Sequence, residues 1–331
     1  MTAAAAILKV RGLKVHFETG RRGGGGKSMV HAVDGVSFDV PKGGSFGIVG
    51  ESGSGKTTVA MALLRLVAAT AGSVELDGEP VLELGKDALR KMRRRIQIIF
   101  QDPYSSLNPR MRAGQIVREP MDLMRIGDSR RRDAEVRELF ELVGLRPEQT
   151  ALFPHQFSGG QRQRIGIARA LATRPDVVIC DEPVSALDVA IQAQILNLLS
   201  DLQSNLGLTY LFISHDLGVV QHICDNIAVM YMGEIIEQAD RISLFSEPRH
   251  PYTRALISAV PSADFTGATR AQRMRLEGDP PSPIDPPAGC RFAGRCPFAE
   301  EPCGAKTPAL RALENGNKIA CHRADEIKLN A

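Results

Sequence analysis

The hydrophobic pattern of the chain predicts strands and helices that alternate along the sequence. Strands have alternating or continuous apolar positions and are predicted at 7–19, 29–49, 96–100, 177–181, 208–214 and 227–232. Helices have apolar residues at the spacing of one helical face and are predicted at 56–69 and near 189–205. Strands that alternate with helices indicate an α/β fold, in which a mostly parallel sheet is covered by helices on both faces.

The segment 105–172 differs from this alternation. It is polar and rich in Arg and Glu, and its apolar residues Val136, Phe140 and Val143 recur at helical spacing. We therefore expect a helical subdomain inserted into the α/β core. Beyond residue 260, prolines clustered between 280 and 287 indicate a stiff linker. The 331 residues are thus expected to form two domains, at 1–260 and 261–331.

Composition and charge exclude several classes of protein. A chain that is 43% hydrophobic and 24% charged is typical of a globular protein and not of a disordered or fibrous one. Its net charge of +3 is too small for a protein that coats nucleic acid, so no nucleic-acid partner is expected. No apolar run reaches the roughly 18–20 residues of a membrane helix, and Lys9 and Lys14 lie where a secretory signal would be apolar. We expect a cytoplasmic protein whose membrane contact requires a partner.

Two kinds of segment receive no assigned role. The insert GRRGGGGKS at 20–28 cannot pack and predicts a flexible surface loop without function. The basic runs at 90–95 and 130–132 are typical of solvated faces, although they could also face a membrane surface or a partner loop. The sequence does not decide between these interpretations.

Residues 50–57 form the first candidate site, because they fit the pattern GxxxxGK[ST] between a predicted strand and a predicted helix. Glycines let the backbone wrap so that its amides point at phosphate oxygens, and the helix N-terminus adds positive potential. A chance glycine turn before a lysine would lack these flanking elements. Lys56 is expected to reach the β- and γ-phosphates, and Thr57 to hold Mg²⁺. The residues predicted to bind the nucleotide here are Gly50, Glu51, Ser52, Gly53, Ser54, Gly55, Lys56, Thr57 and Thr58.

A second candidate site lies at the end of the hydrophobic segment 177–181. Asp181 is expected at the carboxyl end of a parallel strand, where open α/β sheets bind their ligands, and it can hold Mg²⁺ through water. Glu182 is placed to accept a proton from an attacking water. Taken alone, Asp-Glu-Pro is more typical of a polar turn, but a phosphate loop upstream favours the catalytic interpretation.

Between these two sites, residues 157–164 (FSGGQRQR) resemble the signature motif of ABC-type ATPases. The resemblance implies an α/β fold built on a P-loop ABC-type nucleotide-binding domain with an inserted helical subdomain, followed here by a small cysteine-containing C-terminal domain. It also implies that the motif contacts the γ-phosphate of ATP bound by a second subunit, so that ATP holds a dimer together. The residues assigned to this contact are Ser158, Gly159, Gly160 and Gln161.

Further positions match elements of the same family in the same order along the chain. Gln101 resembles the Q-loop glutamine, which is a ligand of Mg²⁺ and water and senses the transmembrane partner. Asp188 matches the D-loop that crosses the dimer interface. His215 matches the switch histidine that binds the γ-phosphate and orients the catalytic pair. Phe17 occupies the position of the aromatic residue that stacks on adenine, although an aromatic residue at the end of a first strand is more often part of the core.

The segments 100–110, 180–188 and 250–253 are similar to the ATP-binding subunits of dipeptide and oligopeptide importers. Such importers pair two homologous subunits, called F-type and D-type, and the Q-loop segment with Tyr104 resembles the F-type one. This resemblance implies a peripheral ATPase at the cytoplasmic face of the inner membrane that energises peptide import. The implied partners are a homologous D-type ATPase subunit, two transmembrane permease subunits and an extracytoplasmic peptide-binding protein. Importers of nickel or glutathione share this subunit type, so the cargo stays open.

A non-transport ABC ATPase that acts on DNA or ribosomes is the rival class. Chromosome and repair types separate their two halves by long heptad coiled coils, and translation-factor types carry two ATPase domains in one chain. This sequence contains neither feature, so the transport interpretation is favoured.

Four cysteines, Cys290, Cys296, Cys303 and Cys321, crowd into the last part of a chain that is expected to lie in a reducing compartment. Such clusters are typical of metal sites, and the spacing alone leaves zinc and iron–sulfur open. The segment 281–292 resembles the C-terminal domain of the same importer subunits, some of which bind a [4Fe–4S] cluster, and this resemblance favours the cluster. Four unliganded thiols are the remaining alternative.

Overall fold

The computed structural model of the chain describes residues 5–19, 28–259, 274, 276, 278, 279 and 281–327. All but the last residue of the insert at 20–28 lie outside these residues, and so does the expected domain boundary between 260 and 261. The chain divides into two compact units. The first contains Val40–Gly44 and Glu83–Ile213, and the second contains Ala6–Asp39, Ser45–Leu82 and the described residues from Ser214 onward.

Strands and helices follow one another along both units. The strands are β1 (Ala6–Thr19), β2 (Ser28–Pro41), β3 (Ser45–Val49), β4 (Ala71–Leu76), β5 (Glu79–Pro80), β6 (Ile96–Ile99), β7 (Val177–Asp181), β8 (Thr209–Ser214), β9 (Asn226–Tyr231), β10 (Glu234–Asp240), β11 (Arg311–Ala312) and β12 (Lys318–Ile319). The helices are α1 (Lys56–Leu63), α2 (Lys86–Arg95), α3 (Ala113–Leu123), α4 (Arg132–Leu142), α5 (Gly159–Leu171), α6 (Val189–Leu206), α7 (Leu217–Ile223), α8 (Arg241–Ser246), α9 (Pro251–Ala259) and α10 (Glu301–Ala305). Within the described ranges, none of these helices is long and apolar enough to span a bilayer.

The α/β class predicted from the hydrophobic pattern is confirmed, with local differences. The helix predicted at 56–69 ends at Leu63, because Arg65 adopts the left-handed backbone conformation with φ 52°. The segment 29–49 forms two strands, β2 and β3, because a turn that includes Gly43 at φ 73° separates them. Both differences arise from single backbone conformations that hydrophobic periodicity does not report.

In the first unit, three parallel strands lie in the order β8-β7-β6. Every residue of β7 and β8 is buried, as is typical of strands covered on both faces. Between β6 and β7 the chain forms α3, α4 and α5, which pack against one another and bury Ile116, Phe140 and Ile165. The helices expected from the apolar spacing of this segment are therefore present.

The second unit contains an antiparallel sheet that the sequence pattern did not predict. Its order is β2-β1-β4-β5, with β4 antiparallel to both β1 and β5. Leu8, Val10, Leu13 and Val15 are buried along β1 while several intervening residues are exposed. This alternation is typical of a sheet with one covered face. The expectation of a mostly parallel sheet therefore does not hold for this part of the chain.

A further group of strands in the second unit carries the start of the phosphate loop. β3 is parallel to β9, with Ile48 opposite Ala228, and β10 is antiparallel to β9. The C-terminal strand β12 pairs with β10, where Ile319 lies opposite Glu237, and β11 pairs with β12. The C-terminal residues therefore join the same sheet as β3.

Candidate functional site

The phosphate loop at 50–57 follows β3 directly and leads into α1. All five residues of β3 are buried, so the loop leaves a packed part of the sheet. A Cβ atom at Gly50 would lie 2.1 Å from the Met230 carbonyl oxygen, and one at Gly55 would lie 2.0 Å from the Ala32 carbonyl oxygen. Gly55 also has φ 102°. These contacts explain why the pattern has glycine at both positions: the backbone lies too close to neighbouring carbonyl groups for any side chain.

Lys56 is the first residue of α1, and its side chain is buried. Its Nζ donates hydrogen bonds to the carbonyl oxygens of Gly50 and Glu51, each at 2.8 Å. The ammonium group is thus held against the loop at the positive end of α1, where an anion is favoured. Thr57, the next residue, is exposed at the same helix end. The loop can receive a polyphosphate, whose charge it complements.

Glu51 is held by the side chains of Tyr252 and Arg295, which have no role predicted from the sequence. Its N–H group donates to the Tyr252 hydroxyl at 2.9 Å. Its carboxylate accepts from Arg295 Nη1, which lies 2.9 and 3.3 Å from the two oxygens. Burial alone lowers the pKa of the Arg295 guanidinium, and its hydrogen bonds to Glu51 and Tyr231 more than offset this and raise it. Arg295 lies between Cys290 and Cys296 in the sequence, and this position is the signal from which a functional role could have been predicted.

Asp181 and Glu182 lie at the carboxyl end of β7. Asp181 is buried, and Glu182 is half-buried. Glu182 has φ 48°, which is unusual for a residue with a side chain, and its N–H donates to the Ile213 carbonyl oxygen at 2.8 Å. Its carboxylate accepts a hydrogen bond of 2.8 Å from Gln101 Nε2. The structure therefore brings Gln101 and Glu182 together and orients the carboxylate.

The residues that resemble the signature motif form the start of α5. Ser158 is the N-cap, and its Oγ accepts from the Gln161 N–H at 3.3 Å while Gln161 Oε1 accepts from the Ser158 N–H at 3.0 Å. This reciprocal pair is a capping box. A Cβ atom at Gly160 would lie 2.5 Å from Ile191 Cγ2 in α6, so the helix start packs closely there. Ser158 remains exposed, and the motif presents the positive end of a 13-residue helix to solvent.

Two further residues of the first unit lie beside this motif. Asp188 is the N-cap of α6, and its Oδ1 accepts from the Ile191 N–H at 3.0 Å. The ring centroid of Tyr104 lies 4.1 Å from the guanidinium carbon of Arg162, and Tyr104 is 58% exposed. A Cβ atom at Gly159 would lie 3.6 Å from the Tyr104 hydroxyl. The structure thus places Tyr104 next to the start of α5.

Phe17 and His215 belong to the second unit, and both have exposed side chains. Phe17 lies on β1 and is 41% exposed, so the alternative interpretation of this aromatic residue as part of the core is wrong. His215 follows β8 directly, and Asp216 after it caps α7 by accepting from the Gly218 N–H at 2.7 Å. Both side chains reach solvent, where a ligand could contact them.

The clustered thiols of the C-terminal segment line one small cavity; they are Cys290, Cys296, Cys303 and Cys321. The Cys290 N–H donates to the Cys303 carbonyl oxygen at 2.7 Å, which ties two of them together. Burial raises the pKa of the Cys290 thiol to about 11 and also raises the pKa of Cys296 and Cys321. These three thiols therefore stay neutral at pH 7 unless a bound cation stabilises the thiolates.

A cluster of charged and histidine side chains, not predicted from the sequence, surrounds Asp34 on β2. His31 Nδ1 and His16 Nε2 lie 3.0 and 3.3 Å from its oxygens, and Lys14 and Arg291 form ion pairs with it. Burial raises the pKa of this carboxyl, but hydrogen bonds from His31, Lys14 and Arg291 outweigh it and hold the pKa well below its usual range. Because two cations already neutralise Asp34, the cluster is an ion-pair network.

Comparison with known families gives the class of this protein. Residues 33–185 match the ABC transporter family, and residues 236–303 match the family described as the oligopeptide/dipeptide transporter C-terminal region. Among solved structures, a dimeric post-hydrolysis state of the ATP-binding cassette MJ0796, bound to ADP and Pi, is 29% identical with a TM-score of 0.63. The match covers 71% of this chain and 98% of that one. The fold and the site therefore define an ABC-type cassette that hydrolyses ATP.

More similar relatives define the family within this class. A Brucella ovis protein named as a peptide import ATP-binding protein is 50% identical over 317 residues, which are 96% of this chain and 98% of the relative. The oligopeptide transport ATP-binding protein AppF of Bacillus subtilis is 46% identical over 327 residues, which are 97% of this chain and 99% of AppF. The chain belongs to the family of ATP-binding subunits of peptide ABC transporters.

Proposed function

We propose that this chain hydrolyses ATP to energise the import of dipeptides or oligopeptides through a membrane transporter. The observation that carries the proposal is the presence, in one chain, of an ABC transporter region at 33–185 and an oligopeptide/dipeptide transporter C-terminal region at 236–303. The two relatives described above, which match nearly the whole chain, are named for peptide import and oligopeptide transport. An ABC ATPase that acts on DNA or ribosomes would have no need of the second region.

Residues of both candidate sites are proposed to act on the same nucleotide. Lys56 neutralises charge on the β- and γ-phosphates while the surrounding loop binds them through its backbone amides. Mg²⁺, when bound, offsets the charge shared by these phosphates, and Thr57, Gln101 and Asp181 are its proposed ligands. Glu182 accepts the proton of the attacking water, a role that its orientation by Gln101 supports.

The remaining site residues are proposed to complete the nucleotide contacts. Phe17 stacks on adenine, and its exposure on β1 supports this role. His215 contacts the γ-phosphate and orients the catalytic pair. Ser158, Gly159, Gly160 and Gln161 of one subunit contact the γ-phosphate held by its partner, because a helix N-terminus suits an anion. Asp188 lies at the interface between the subunits, so that ATP stabilises the dimer.

The assembly proposed for this subunit follows from its relatives. Its similarity to AppF supports an F-type subunit that pairs with a homologous D-type subunit, and the MJ0796 cassette, solved as a dimer, supports the pairing of two cassettes. Two transmembrane permease subunits and an extracytoplasmic peptide-binding protein complete the transporter. The ATPase pair is proposed to lie peripherally at the cytoplasmic face of the inner membrane. Domain limits at 1–260 and 261–331, with a helical subdomain at 105–172, are part of this proposal.

Reconstitution of the complete transporter in proteoliposomes tests the function. The ATPase rate is expected to rise severalfold when the binding protein carries peptide, because ATP hydrolysis is proposed to be coupled to peptide import. Binding protein exposed to nickel or glutathione serves as the control and is expected to leave the rate unchanged. Stimulation by nickel or glutathione would assign a different cargo, and co-purification with nucleic acid in place of permeases would contradict a transport function.

We further propose that the four clustered thiols bind a [4Fe–4S] cluster. They line one cavity, and thiols that cluster in a reducing compartment are typical of metal sites. Four cysteine ligands suit one such cluster. When bound, the cluster supplies cross-links within the C-terminal segment and a redox-active centre.

Metal analysis of anaerobically purified protein tests this site. We expect about four iron atoms per chain and visible absorption, since four cysteine ligands suit one cluster. The Cys303→Ser variant, which alters a buried thiol of the cavity, is expected to lose most of the iron. The Cys224→Ala variant is the matched control, because Cys224 is buried outside the cavity, and it is expected to retain the iron. A colourless protein loaded with zinc would overturn the assignment.

A further inference from the structure

The segment 290–296 (CRFAGRC) lies between two of the clustered cysteines and packs against residues that support the phosphate loop. The ring of Phe292 contacts Tyr231 and Tyr252 edge-on, with ring centroids 5.4 and 5.5 Å away. Tyr231 ends β9, the strand parallel to β3, and the Tyr252 hydroxyl accepts the hydrogen bond from the Glu51 N–H. The segment therefore touches both the sheet that carries the loop and a residue that holds the loop itself.

Arg291 anchors the same segment at a second point. Its side chain is 7% exposed, and it pairs with Asp34 on β2 and with Glu234, whose Oε1 lies 3.2 Å from Arg291 Nε. Arg291 also donates a hydrogen bond to the Met232 carbonyl oxygen. These three acceptors fix the buried guanidinium, because moving it away would leave buried charges unpaired. The position of the following residues is therefore well defined.

Arg295 extends from this anchored segment to the phosphate loop. Its side chain is 10% exposed, and its Nη1 contacts both carboxylate oxygens of Glu51 at 2.9 and 3.3 Å. Nη1 also lies 3.4 Å from the Tyr231 hydroxyl, while Nε has no hydrogen-bond partner among the described residues. Glu51 is thus the carboxylate that neutralises Arg295, although the two residues are 244 positions apart in the sequence.

The contact between Arg295 and Glu51 affects nucleotide binding because Glu51 carries a negative charge, like the phosphates. Glu51 belongs to a loop whose backbone and lysine are arranged for a polyphosphate, and its carboxylate is a second anion beside that ligand. Two negative charges at short range repel each other, and the repulsion is strong where solvent is partly excluded. Arg295 offsets the charge of Glu51 and directs the carboxylate toward the C-terminal segment.

We propose that Arg295 is a positioning residue for ATP binding, which neutralises Glu51 and keeps its carboxylate away from the phosphates, and that the segment 290–296 holds Arg295 in place. This inference rests on the proposed function, because it assumes that the loop at 50–57 binds ATP. It connects the four-cysteine site with the nucleotide site through two side chains of this chain itself.

Equilibrium binding of a fluorescent ATP analogue to the purified full chain tests the role of Arg295. The Arg295→Ala variant is expected to raise Kd about tenfold, equivalent to about 1.4 kcal/mol. Adding Glu51→Gln to Arg295→Ala is expected to restore Kd to within about threefold of wild type, because the repelling charge is then gone. Glu51→Gln alone keeps the loop backbone, removes the repelling carboxylate and leaves the positive charge of Arg295, so it is expected to lower Kd. A contact that serves only to pack the loop would give weaker binding in all three variants, and this result would overturn the proposal.

Controls separate this inference from the proposed function. Arg311→Ala removes an exposed ion pair with Asp325 in the same C-terminal part of the chain and is expected to leave Kd unchanged. If wild type and Arg311→Ala do not bind ATP, the proposed function fails. If they bind ATP and Arg295→Ala binds it equally well, only the role of Arg295 fails. The Glu51→Gln measurement decides the question even if Arg295→Ala does not fold.

The role of the segment is tested with its two thiols. Replacing both Cys290 and Cys296 by serine is expected to loosen the segment and raise Kd severalfold, and Glu51→Gln in the same background is expected to reverse this rise. Reversal by Glu51→Gln would show that the effect passes through the charge of Glu51. An unchanged Kd in the double serine variant would overturn the positioning of Arg295 by this segment.

Discussion

Replacing Glu182 by glutamine is expected to lower the rate of ATP hydrolysis by about 10²–10⁴-fold while leaving ATP binding intact. Glutamine has the same shape and can still accept the hydrogen bond from Gln101, so the local geometry is preserved. It cannot accept a proton from water, so the general base is lost. Phosphate release by the assembled transporter measures the rate, and gel filtration with ATP and Mg²⁺ is expected to show a more persistent dimer in the variant.

The control for this experiment is the Glu247→Gln variant, which alters a glutamate that is 60% exposed and outside the candidate site. Its hydrolysis rate is expected to equal that of the unaltered chain. A Glu182→Gln variant that turns over ATP at the unaltered rate would remove Glu182 from the role of general base. A variant that no longer binds ATP would instead show that Glu182 contributes to nucleotide binding.

The Lys56→Ala variant is expected to weaken ATP binding about 100-fold, which corresponds to about 2.7 kcal/mol. Hydrogen bonds to charged groups contribute about 1.5–3 kcal/mol each, and Lys56 is the cation that the loop itself supplies. Equilibrium binding of a fluorescent ATP analogue measures the change. The Lys42→Ala variant, at an exposed lysine just before β3, is the matched control and is expected to bind ATP normally.

Loss of binding in the Lys56→Ala variant has to be distinguished from loss of the fold. Lys56 holds the Gly50 and Glu51 carbonyl oxygens, so its removal also loosens the loop. Thermal unfolding without nucleotide is expected to show a folded protein, because the buried core of β3 is unchanged. If the folded variant binds ATP as tightly as the Lys42→Ala control, the assignment of Lys56 to the phosphates is contradicted.

The phosphate loop and the start of α5 could be predicted from sequence because their residues are contiguous. Gly55 adopts a positive backbone angle that favours glycine, and the capping box of Ser158 and Gln161 closes within one helical turn. Such features depend on neighbours along the chain. The same reasoning reached Asp181, which ends a run of buried residues. The roles predicted for Gln101 and His215 came from the family resemblance, because periodicity alone does not indicate them.

Long-range contacts could not be predicted in this way. Gln101 and Glu182 are 81 positions apart, and their hydrogen bond depends on the pairing of β6 with β7. Arg295 reaches Glu51 only because the C-terminal residues pair with β10 and pack Phe292 on Tyr231. Nothing in the local pattern around Arg295 indicates an acidic partner near the start of the chain.

The sequence by itself determined the α/β class, the glycine-rich loop at 50–57 and the clustering of four cysteines, because each is visible in short segments of the chain. Only the tertiary structure decided that the four thiols line one cavity, that Phe17 is exposed, and that Arg295 neutralises Glu51. These features depend on distances between side chains that are remote in sequence. Such distances exist only after the strands have paired and the core has packed.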